Sequence, residues 1–271
     1  MLKKVQKANK FQEVRVVAIA TILAIATFAT SIVFAGITGT KHDLSTSGPG
    51  TIKAAAGGVT QKCVFCHTPH SSSKEGPLWN HSLSSATYVV YTSLTMLTIP
   101  SQPDFGSKLC LGCHDGTVAL GLLVNTPGSE ANPVAMTQTY MPAGATGYMG
   151  TDLTNKHPVS IVINGPFITA KQAQCAPPPA GLGTTGVQYP AASSPVKLYK
   201  TGNTYGGEGG NGVQCRSCHD PHDDVGSWRC FLVHVPGINC TTCPCAPALN
   251  PLAPLGSNPD ALCAECHYTC L

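Results

Sequence analysis

Four stretches of this 271-residue chain put two thiols and an imidazole in one fixed order. They are Cys63-Val-Phe-Cys66-His67, Cys110-Leu-Gly-Cys113-His114, Cys215-Arg-Ser-Cys218-His219 and Cys263-Ala-Glu-Cys266-His267, motifs 1 to 4 below. Two cysteines at this spacing can add across the two vinyl groups of a porphyrin. The histidine that follows then falls beneath the iron as its proximal ligand, which is the chemistry of covalent haem c attachment. A chain of this composition would show about 0.03 such matches by chance. Zinc knuckles and disulfides use similar cysteine spacings, but neither requires a histidine directly after every second cysteine. Four covalently attached haem c groups are therefore expected. Cys63, Cys66, Cys110, Cys113, Cys215, Cys218, Cys263 and Cys266 would hold them, with His67, His114, His219 and His267 on the irons.

The sixth ligand of each iron must come from elsewhere. Six further histidines exist: His42, His70, His81, His157, His222 and His234. Met96, Met136, Met141 and Met149 are the alternative axial donors. His70 and His222 each stand three residues after a proximal histidine, in His67-Thr-Pro-His70 and His219-Asp-Pro-His222. Side chains one turn apart project from one side of a segment. They cannot reach opposite faces of one haem, so each must serve a neighbouring one. His42 and His157 lie upstream of the first and second motif pairs. These four, His42, His70, His157 and His222, are the expected distal ligands. His81 and His234 are left over as reserves, His81 the stronger.

The motifs begin at 63, 110, 215 and 263, so the gaps are 47, 105 and 48 residues. Two near-equal gaps around a long one describe a duplicated dihaem unit. The expected layout is a signal peptide at 1–35, an N-terminal dihaem module at 36–130, a Gly/Pro-rich connecting region with His157 at 131–210, and a C-terminal dihaem module at 211–271. The connecting region reads as loops with a few short strands, Val159–Ile163 the best candidate. Short helices should carry the motifs and end near them. Residues 1–15 carry five basic residues and one acid, and no charge follows from Val16 to Thr40. That reads as an export signal cut after Ala35. Removing it takes five of the 16 basic and one of the 13 acidic residues, turning the net charge from +3 to −1. Two propionates per haem would then carry the product to roughly −9. His42 would lie on a short arm after the cut, with Gly36, Gly39, Gly48 and Gly50 around it. The arm has few apolar residues to hold it, so His42 is the expected ligand in trans, to a haem of an adjacent subunit.

The set Lys41-His-Asp-Leu-Ser45, Cys63-x-x-Cys-His-Thr-Pro-His70, Pro77-Leu-Trp-Asn80, Leu109-Cys-Leu-Gly-Cys-His-Asp-Gly116, His157-Pro-Val-Ser160 and Cys215-x-x-Cys-His-Asp-Pro-His222 resembles secreted multihaem c-type cytochromes with doubled motifs. It is most similar to the tetrahaem extracellular cytochrome nanowires, over about residues 40–230. The resemblance implies bis-histidine haems stacked in a continuous chain, and a head-to-tail homopolymer in which one subunit's histidine ligates the next subunit's haem. The tail departs from that pattern: Cys230, Cys240, Cys243, Cys245 and Cys270 crowd it, and with Cys175 they are six cysteines outside the motifs. One to three disulfides are plausible among them.

The fold expected is an irregular, loop-rich multihaem cytochrome c, with few short helices and minimal β-strand packed around stacked haems. About 59 residues per haem remain after residue 35, too few to wrap each one separately. Charged residues are only 11% of the chain, with no basic stripe for nucleic acid. The expected function is extracellular electron transfer along a filament, with itself and other redox proteins or extracellular acceptors as partners. A soluble periplasmic shuttle is the alternative. A multihaem reductase is the least favoured, because it needs an iron with an open position. The isolated protein should weigh residues 36–271 plus about four times 616 Da, from four attachments. Its oxidised form should be wholly low-spin by electron paramagnetic resonance. Three haems, five haems, or a large high-spin signal would each contradict the count.

Overall fold

The first three motifs each fold as a short helical turn, which brings their two thiols to one side. Motif 1 begins a single 3-10 turn at Cys63–Phe65. Motif 2 is the end of helix α1, Phe105–His114. Motif 3 is helix α3, Cys215–Cys218. A further helix, α2, spans Gly165–Ala173. The strands are β1 Ile161–Val162, β2 Thr185–Val187, β3 Gly212–Val213 and β4 His267–Thr269. A computed structural model describes residues 36–73, 76, 78–94, 96–98, 102–174, 185–202, 210–222 and 266–269. The expected signal segment 1–35, His234, Cys263 and the six cysteines outside the motifs lie outside these. The described residues all fall within one compact unit, Gly36–Leu271.

This is a loop-rich chain with short helices and little sheet, as its Gly and Pro content requires. Two small antiparallel sheets form. β1 pairs β3 with Ile161 opposite Val213, and β2 pairs β4 with Val187 opposite His267. Helix α2 was not expected in the connecting region. Its signal is local: Asn164 is the N-cap and accepts from the Phe167 N–H at 2.8 Å, with a proline in the first turn. Both are standard helix-start chemistry.

Among the described residues, three small apolar clusters stand in for one core. Ala54, Val59, Phe65, Leu123 and Val134 form the first. Tyr88, Leu111 and Leu153 form the second, and Ile163, Val187 and Val213 the third. Each sits beside a motif. Phe65 and Leu111 are the interior residues of motifs 1 and 2, and Val213 lies two residues before motif 3. The sequence boundaries between modules are crossed repeatedly: Val134 packs with Ala54, and β1 pairs β3.

Polar contacts lock α1 against α3. Buried Gln214 accepts from Ser107 Oγ at 2.5 Å and donates through Nε2 to Asp104 Oδ1 at 2.6 Å. Its side chain lies over Gly106, where a Cβ would come within 3.1 Å of it. Motif 2 ends in a tight turn. Asp115 Oδ1 accepts from the Thr117 N–H and hydroxyl at 2.8 and 2.9 Å. Gly116 follows at φ +75, where a Cβ would meet the Met141 carbonyl at 2.8 Å, so only glycine fits. Gln214→Leu should leave the buried Ser107 hydroxyl and the half-buried Asp104 Oδ1 without this partner. A stability loss of about 2–3 kcal/mol is expected, read from the chemical-denaturation midpoint followed by Soret circular dichroism.

Candidate functional site

Imidazole rings meet in pairs. His42 and His114 have centroids 6.0 Å apart, His67 and His222 6.1 Å, and His157 and His267 6.2 Å. Each pair joins a motif histidine to one outside the motifs. Imidazole–metal bonds are about 2 Å long, so two imidazoles on one metal atom have centroids about 6 Å apart once ring depth is added. The three pairs share that spacing.

The rings are also aimed. His42 Nδ1 lies 3.0 Å from the Pro221 carbonyl oxygen, His114 Nδ1 2.9 Å from that of Gly147, and His157 Nδ1 2.8 Å from that of Pro158. The His267 ring bonds to the Gly186 backbone. A carbonyl only accepts, so at His42, His114 and His157 Nδ1 carries the proton and Nε2 is bare. That is how metal-binding imidazoles are oriented. At His222 the Nδ1 faces the Asp220 carboxylate at 3.6 Å. Desolvation lowers the pKa of His157, and that of His267, where the His157 charge adds to it. Both are thus held in the neutral, ligating form.

The His42 ring sits against His114 of its own chain, and the segment that the sequence reading took for a loosely held arm is anchored. Asp43 and Ser45 are buried, Asp43 Oδ1 accepts from the Ser45 N–H and hydroxyl, and Lys62 lies 3.5 Å from Asp43. The Leu44 carbonyl accepts from Ala54 at 2.8 Å. Counting apolar residues missed an arm held by polar bonds. His70, in contrast, is exposed, and its ring makes no hydrogen bond among the described residues. His81 is 1% exposed and donates or accepts at Ser82 oxygen through Nδ1 at 2.9 Å. Because that partner is a carbonyl, Nδ1 donates. Burial lowers its pKa, and it sits beneath Gly112 of motif 2 as a core residue. Met136 packs on the first apolar cluster.

The motif thiols differ in how they are held. Burial pushes Cys66 and Cys113 up to about 12. Cys110 donates to Cys215, raising the one and lowering the other. That contact joins the leading cysteines of motifs 2 and 3. Zinc asks for four protein ligands, whereas among the described residues no three His, Cys, Asp or Glu side chains converge. Pairs of imidazoles beside paired thiols fit a haem c, whose porphyrin supplies the other four donors.

No protein-family model matches the chain, and no curated protein matches it.

Three of the four histidines named from the sequence, His42, His157 and His222, each lie against a motif histidine, and the sequence did not show which motif each would meet. The segment Cys215–His222 contributes to three places at once: His219 of motif 3, the His222 ring opposite His67, and the Pro221 carbonyl that holds His42. With the four haems expected from the motifs, His222→Ala and His157→Ala should each turn one iron high-spin and able to bind CO when reduced. His81→Ala should open none, while costing about 1–3 kcal/mol of stability. Magnetic circular dichroism of the three purified variants checks this.

Proposed function

We propose that the protein is a tetrahaem c-type electron carrier, and that it acts outside the cell as a head-to-tail polymer. The observation that carries the reading is the set of three imidazole pairs at 6.0–6.2 Å, each joining a motif histidine to one outside the motifs. Cys63 and Cys66 with His67, Cys110 and Cys113 with His114, Cys215 and Cys218 with His219, and Cys263 and Cys266 with His267 would hold the four groups. His42, His157 and His222 are the distal ligands in the same chain. Haem supplies reversible one-electron exchange at iron. The chain's own task is to fill both axial positions, fix the separations and keep water away from the metals. With both positions filled by histidine, substrate has no place to coordinate, which sets the reductase reading aside.

His70 is the fourth distal ligand. The relation of His67 to His222 repeats, in the duplicated unit, as that of His219 to His70. Among the described residues the exposed His70 ring makes no hydrogen bond, and His219 is exposed as well. We assign His70 as the ligand donated to the motif 3 iron of a neighbouring subunit. A contact of that kind does not close on itself and builds an open helical polymer.

Electron microscopy of secreted material tests the polymer: uniform filaments are expected, and particles alone would favour the soluble shuttle. His70→Ala should keep four covalent haems, gain one high-spin iron per subunit and lose filaments. His42→Ala should gain one high-spin iron and still polymerise. If His42→Ala abolishes filaments while His70→Ala keeps them, the assignment is reversed.

A further inference from the structure

Trp79 carries a buried donor. Its Nε1 is sealed from solvent and has no hydrogen-bond partner among the described residues. Indole nitrogen is a donor only, and an unmet buried N–H costs about 1–3 kcal/mol. The ring stands edge-on to His67, with centroids 6.0 Å apart and planes at 88°. It is held there firmly. Trp79 bridges His67 through the backbone, its carbonyl accepts from Ser73 at 2.9 Å, and the Asn80 N–H bonds to the Cys66 carbonyl at 2.9 Å. Asn80 is fully buried and donates from Nδ2 to the Val64 and Asn125 carbonyls at 2.6 and 2.9 Å. On its other side Gly76 leaves no room: a Cβ there would meet the Trp79 Cβ at 3.2 Å and Leu109 at 3.5 Å.

We propose that the Trp79 N–H is built to bind a carboxylate of the prosthetic group carried by motif 1, namely a haem propionate. This rests on the haem reading above. The group that motif 1 would hold brings carboxylates to the His67 neighbourhood, and a buried N–H to a carboxylate is a strong, charge-assisted bond. Trp79 is a positioning residue. It orients the group through its edge and offsets part of the propionate charge, which otherwise favours the oxidised iron.

Trp79→Phe keeps the ring and removes the donor. The variant should retain four covalent haems by mass and remain wholly low-spin. One of the four reduction potentials should fall and three should stay, and one propionate bending band should move in the resonance Raman spectrum. Four low-spin haems with unchanged potentials and unchanged propionate bands overturn the assignment. Absence of covalent haem from the parent protein instead overturns the reading on which it rests. Should the variant not fold, the parent protein labelled with 15N-tryptophan decides. One of its two indole N–H signals should exchange slowly and shift when the irons are reduced. Two indole signals that do neither overturn the proposal.

Discussion

A ring nitrogen that gives its proton to a backbone carbonyl leaves the opposite nitrogen bare and pointing in a fixed direction. His42, His114 and His157 are all held this way, and the acceptors are the carbonyls of Pro221, Gly147 and Pro158. All three acceptors are Pro or Gly and lie outside helix and strand. A carbonyl in a helix or ladder is already engaged. Irregular backbone leaves carbonyls available, and Gly and Pro make the backbone irregular. The scarcity of secondary structure is thus a condition for aiming the imidazoles. It also explains why the core is broken into small clusters, each behind a motif.

The second consequence concerns how the two halves combine. A duplicated sequence unit suggests two self-contained modules joined by a linker. The contacts run otherwise. His222, from the second half, stands opposite His67 in the first, while His42, from the first half, is held by Pro221 in the second. Gln214 ties motif 3 to α1 through Ser107 and Asp104. Neither half holds its ring pairs alone. On the proposed reading this interlocking serves electron flow, because ligands borrowed across halves force neighbouring irons close together.

Much of the candidate site was legible in sequence, since each motif fixes residue type and spacing in a stretch of five. His42, His157 and His222, which the structure sets against motif histidines, were legible through the x-Pro-His and the upstream positions; His70, from the same pattern, is not brought to one among the described residues. The pairing was not legible, because it depends on long-range contacts such as His67 with His222, 155 residues apart by number. The arm around His42 was misread because its anchors are polar. Asp43 and Ser45 are buried by mutual hydrogen bonds, which no hydropathy pattern reports. Helix α2 was missed although its start signal, Asn164 followed by a proline in the first turn, was present. The surrounding Gly and Pro content outweighed it.

His70 differs from the other candidate ligands in how it is held, and the difference suits a contact between molecules. Its backbone is fixed: its carbonyl accepts from Thr68 Oγ1 at 3.0 Å and from Asn125 Nδ2 at 2.9 Å. Asn125 in turn donates its N–H to the buried Asn80 side chain at 2.8 Å. The stem is therefore fixed, while the ring makes no hydrogen bond among the described residues. Ordering a side chain on association costs about 0.5–1.5 kcal/mol, and a preset backbone avoids the larger cost of ordering a loop. A ligand needed within its own chain gains from a second bond that fixes its ring, as at His42 and His157. A ligand meant for another molecule gains from a fixed base and a free imidazole, because the partner metal sets the final orientation.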